Sequence, residues 1–76
     1  MNAKKRSRAP ERAHRLAQAR RRAGLSQEAL AQKIGVGRQT IARIEGGRQT
    51  PSVTIALAIA RTVNEPVEKL FGGGER

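Results

Sequence analysis

The sequence contains no cysteine, no tryptophan and no tyrosine, one phenylalanine at Phe71, and only six acidic residues. Without cysteine there is no disulfide framework, no thiol nucleophile and no thiolate-ligated zinc, and a reducing cytoplasm is tolerated without adjustment. With aromatics confined to Phe71, the core is left to Leu, Ile, Val and Ala, which favours close-packed short helices over an aromatic-rich sheet. No apolar run approaches the roughly 20 residues that span a bilayer. The basic start from Met1 to Arg8 runs into Pro10 and further charge instead of the apolar core of a signal peptide. A cytoplasmic location with no membrane partner is therefore expected. Within 76 residues there is room for one small domain.

The shortage of acid faces sixteen Lys and Arg, giving a formal net charge of +10. Such a surplus draws a protein toward phosphate-rich polymers through its long-range field and through counterion release. Charge alone does not separate DNA from RNA, acidic protein or anionic lipid. Catalytic chemistry finds little to work with. His14 is the lone imidazole and sits among arginines with no acid or thiol partner near it in sequence, so it is not read as a base or a ligand. Glu65 and Glu68 lie three apart at a helix start, where the helix dipole explains them better than a metal does. Gly72 to Gly74 lack the following helix and lysine of a phosphate-binding loop. Neither an enzymatic activity nor a cofactor or metal is expected.

Punctuation divides the chain into a basic arm over residues 1–10, a folded body over 11–71 and a flexible tail over 72–76. The body is all-α, with five short helices. Glu11 to Ala23 carries Arg20, Arg21 and Arg22 in its last turn, stops at Gly24, and has a thin apolar stripe of Ala13, Leu16, Ala19 and Ala23. Ser26 caps a second helix, Gln27 to about Ile34, that buries Leu30, Ala31 and Ile34, with Leu25 stapled onto Leu30. After Gly35, Val36 and Gly37, a third helix from Arg38 to about Glu45 turns Ile41 and Ile44 inward. Its outward face carries Arg38, Gln39, Ala42 and Arg43. Ser52 caps a fourth helix reaching Val63. Because this segment is apolar nearly all round, it is expected to be central and the most buried. Asn64 stops it, and Pro66 opens a last helix in which Val67, Leu70 and Phe71 close the core.

Two short helices joined by a turn containing Gly35 and Gly37 make a helix-turn-helix, whose second helix lies in the major groove of a duplex. The exposed residues suit that task. Arg bridges guanine O6 and N7, Gln pairs with adenine N6 and N7, and Ala42 or the Thr40 methyl can meet a thymine methyl group. The stretch GLSQEALAQKIGVGRQTIARIEGGRQTPS resembles the phage repressor and Cro family, also called the xenobiotic-response-element regulators. The following ALAIARTVNEPVEKLF is similar to the fourth and fifth helices of its small bacterial members.

The resemblance implies a five-helix, lambda-repressor-like domain that binds an operator in double-stranded DNA as a two-fold homodimer. Arg38, Gln39, Ala42 and Arg43 are then assigned to base readout. Ser26, Gln27, Gly37, Thr40 and Arg48 are assigned to phosphates, helped by Lys4, Lys5 and Arg6 of the arm. The resemblance also implies a largely buried ion pair between Arg20 and Glu45. The surplus apolar surface of Val67, Leu70 and Phe71 is the candidate dimer seam. The chain departs from the family pattern at Gly37, where Ser or Thr is common, at Gly46 for Asn, at Ala29 for Glu, and at Glu65, a position normally apolar.

A transcriptional regulator, as a repressor, is the first functional expectation. One alternative keeps the fold but makes a protein toxin the main partner, as in an antitoxin. The other is sequence-blind binding to nucleic acid driven by charge.

Overall fold

The computed structural model describes residues 8–72, with backbone alone for residues 8–13. The described residues form five helices and no strand: α1 (Arg8–Arg22), α2 (Gln27–Ile34), α3 (Arg38–Glu45), α4 (Val53–Val63) and α5 (Val67–Phe71). Helix α1 begins three residues before the expected Glu11, and the expected arm is thereby shortened. Pro10 falls in the first turn, where backbone N–H groups have no intrahelical acceptor and the missing donor costs nothing. Arm residues 1–7 and tail residues 73–76 lie outside the described part.

Helix ends follow local chemistry. Ser26 Oγ accepts the Ala29 N–H at 2.9 Å and Ser52 Oγ accepts that of Ile55 at 3.1 Å, each satisfying an otherwise orphaned donor. At the far end of α2, Gly35 adopts the left-handed region (φ 80°), and its N–H and that of Val36 both return to the Ala31 carbonyl. This closure turns the chain sharply into α3 within three residues. Asn64 stops α4 in the same left-handed region, at φ 61°.

The core is one aliphatic cluster built from all five helices: Leu16 and Ala19 of α1, Leu30 and Ala31 of α2, Ile41 and Ile44 of α3, Ile59, Ala60 and Val63 of α4, and Leu70 of α5. Leu25, Ile34, Val36, Ile55, Val67 and Phe71 pack around it, half-buried. The stripe of α1 differs from the expected one, because Ala17 is buried and Ala23 is exposed. Helix α4 is not wrapped on all sides. Val53 is 77% exposed and Leu57 48%, since α4 meets α2, α5 and α1 along one flank and nothing among the described residues covers the other. The order of burial along α4 is set by its neighbours; its own hydrophobicity has no say in which flank is covered. No helix among the described residues is long and apolar enough to cross a membrane.

Candidate nucleic-acid interface

Helix α3 has eight residues, so Ile41 and Ile44, fully inserted into the core, leave the opposite flank to residues at positions 38, 39, 42 and 43. Arg38, Gln39 and Arg43 are exposed and Ala42 is half-buried between them. No acidic residue lies in the first turn of the helix. The flank therefore presents two guanidinium forks and one carboxamide around a small methyl-bearing gap, the donor set that major-groove edges of guanine and adenine accept. Thr40 lies half-buried beside this flank, and Arg48 is exposed in the loop that follows.

A carboxylate at the last position of α3 holds this helix against its neighbours. Arg20 Nε donates to Glu45 Oε2 at 2.5 Å and Arg20 Nη2 to Oε1 at 3.2 Å, with the two side chains 11% and 9% exposed. Arg20 Nη1 donates to the Leu25 carbonyl at 2.9 Å, binding the α1–α2 turn into the same knot. A carboxylate at a helix C-terminus is opposed by the helix dipole, so this fork of charge-assisted bonds is what makes Glu45 tolerable there. Among the described side chains every buried polar atom has a partner.

The residues assigned to phosphates from sequence divide into two groups. Ser26 is exposed at the α2 start with its oxygen engaged in the cap, leaving its hydroxyl hydrogen free to donate. Gly37 caps α3 without a side-chain bond and lies exposed, in an extended conformation open to any residue. Gln27, in contrast, turns inward: its Nε2 donates to Glu45 Oε1 at 2.9 Å. This tie was not legible in the sequence, since positions 27 and 45 meet only through the α2–α3 crossing. Lys4, Lys5 and Arg6 lie outside the described residues. Of the expected dimer seam, Leu70 is 1% exposed and belongs to this chain's own core, whereas Val67 and Phe71 are partly buried against it. Position 70 faces inward because α5 docks on α1 and α4 through it.

A family model described as helix-turn-helix matches residues 16–70, which hold all of α2, α3 and α4 with parts of α1 and α5. The chain belongs to that Cro/C1-type helix-turn-helix family. It is similar to helix-turn-helix transcriptional regulators from Archaeoglobus fulgidus, at 44% identity over 75% of this chain and 81% of the relative, and from Methanothermobacter thermautotrophicus, at 47% over 68% and 77%. The fold is similar to that of the restriction-modification controller protein C.AhdI from Aeromonas hydrophila, with a TM-score of 0.75 and 30% identity over 83% of this chain and 96% of that one. As a member of this family the chain is an all-α, DNA-binding transcriptional regulator.

The regulator also carries a polar seam that sequence inspection missed. Glu65, read from the sequence as an acid at a helix start standing where the family is normally apolar, is largely covered and lies 3.5 Å from Arg22 Nη1 and 3.7 Å from Lys69 Nζ. It thereby links the end of α1 to the start of α5. The i,i+4 spacing of Glu65 and Lys69 was visible in the sequence, but Arg22 arrives only by tertiary packing.

Proposed function

We propose that the regulator is a repressor that reads its operator with α3 in the major groove, using Arg38, Gln39 and Arg43 on base edges with Ala42 and Thr40 against thymine methyls. The observation that carries this reading is the single exposed flank of α3, which bears all three side chains while Ile41 and Ile44 anchor the other. Ser26 and Gly37, the exposed N-caps of α2 and α3, and Arg48, exposed in the loop after α3, take phosphates. Binding-site selection from random duplexes tests it: a recovered palindrome with half-sites about one turn, or about 34 Å, apart is expected. Recovery of no preferred sequence would refute base readout.

The regulator acts as a two-fold dimer in this reading. Supporting it are Val53 and Leu57, one turn apart on the uncovered flank of α4, beside an open groove that runs from Leu57 past Arg61 to Pro66 and Val67. A protruding apolar pair next to a groove of mixed polar and apolar lining on one face can meet its own copy across a two-fold axis. The seam so defined consists of Val53, Leu57 and Val67. A second reading, control of a restriction-modification system, is favoured by the likeness to the Aeromonas controller. Occurrence of the selected site upstream of restriction or methylation genes in the source genome would favour it over a general repressor.

A further inference from the structure

We infer that Gln27 sets the base preference of α3 without touching a base, as a positioning residue that fixes the angle between the two helices of the motif. The inference rests on α3 being the reading helix. Gln27 is the first residue of α2 and Glu45 the last of α3, so the 2.9 Å bond from Nε2 to Oε1 joins the far ends of the two helices. Aliphatic packing of α2 on α3 in the shared core sets where and roughly at what angle the helices cross, and small rotations about that contact are then limited by directional polar bonds. A bond at the far ends resists that rotation with the longest lever the motif offers.

The chemistry dictates its direction. A carboxylate is acceptor-only, so the amide nitrogen of Gln27 must face Glu45 and the amide oxygen must face away. That oxygen, also acceptor-only, is repelled by a phosphate; only the second N–H of the same nitrogen remains to meet the backbone. Arg20 already supplies two donors to the carboxylate and is itself held by the Leu25 carbonyl, so Gln27 engages an anchored partner. Three helices meet at one anion, and α2 is joined to it through Gln27 alone among the described residues.

The test compares Gln27→Met, which keeps the length and loses the donor, with the unaltered protein on the selected operator and on random duplex of equal length. Operator affinity is expected to fall about tenfold more than random-duplex affinity, because a tilted helix forfeits the alignment of a bidentate contact. Reselection with the variant is expected to return a degenerate site. Equal loss on both duplexes would assign Gln27 to a phosphate, and no loss on either would make it a bystander; both outcomes overturn the inference. Circular dichroism melting confirms that the variant is folded at the assay temperature, so that instability, which would lower both affinities together, is separated from a change of preference. In the Glu45→Met background, if folded, where no acceptor remains at position 45, Gln27→Met is expected to add less than twofold to the loss of preference, and an undiminished effect there sinks the coupling. If the unaltered protein itself prefers no sequence, base readout by α3 fails first, and the result is distinct from any of these.

Discussion

At the residue scale, two glycines separated by one position are under opposite constraints. Gly35 holds φ at 80°, where an added Cβ meets no neighbouring atom and the strain is purely local. Gly35→Ala is expected to cost about 1–2 kcal/mol, seen as a lowered thermal midpoint. Gly37 sits at φ −79°, also with open space around it, and caps α3 without a hydroxyl. Gly37→Ser supplies the missing cap and narrows the unfolded ensemble, so the same melting experiment is expected to show a gain of about 0.5–1 kcal/mol. Both positions were singled out in the sequence as turn residues. The opposite signs follow from one dihedral angle that the letter G does not reveal. Arg20 is a third residue whose effect is structural. Arg20→Ala strands the nearly buried Glu45 carboxylate and is expected to cost about 3 kcal/mol, measured by urea denaturation. A domain this small has little more stability than that to lose.

At the element scale, the helices separate into those whose placement was legible and one whose surroundings were not. The bounds of α2 and α3 coincide with their expected positions because caps and left-handed stops act on the local backbone. For α4 the bounds were also legible, but its burial was not: apolar residues on every face gave no indication of which flank would stay open. The exposed pair Val53 and Leu57 makes α4 the element on which dimerisation is to be tested. Leu57→Glu is expected to convert a dimer to monomer in sedimentation equilibrium and to weaken operator binding at least tenfold, with little change in the melting of the monomer, since the side chain is half in solvent already. An unchanged mass would exclude this seam. The α1–α5 junction is weaker by design of its chemistry. Arg22 and Lys69 are both about two-thirds exposed around Glu65, so Glu65→Ala is expected to cost at most about 1 kcal/mol, and less in high salt.

At the scale of the whole molecule, sixteen basic against six acidic residues make affinity for any duplex strongly salt-dependent. With several phosphates neutralised per copy, a dimer is expected to lose about a thousandfold in operator affinity between 50 and 200 mM salt. A loss below tenfold in filter-binding or anisotropy titrations would show that the surplus charge lies off the interface. Arg48→Ala is expected to flatten the slope by about one unit per copy and to leave base preference intact, whereas Gln39→Ala or Arg43→Ala is expected to erase preference at one position.

Local chemistry by itself determined the bounds of α2, α3 and α4, the turns between them, and which flank of α3 is polar, because capping, left-handed stops and the 3.6-residue period act between residues close in sequence. Only the tertiary structure decided that Ala17 is buried, that Val53 and Leu57 are bare, and that Gln27 and Arg22 find their acids on other parts of the fold. Those outcomes depend on which helix faces cross, and a crossing is settled by the packing of distant side chains around one shared core, which no stretch of neighbouring residues encodes.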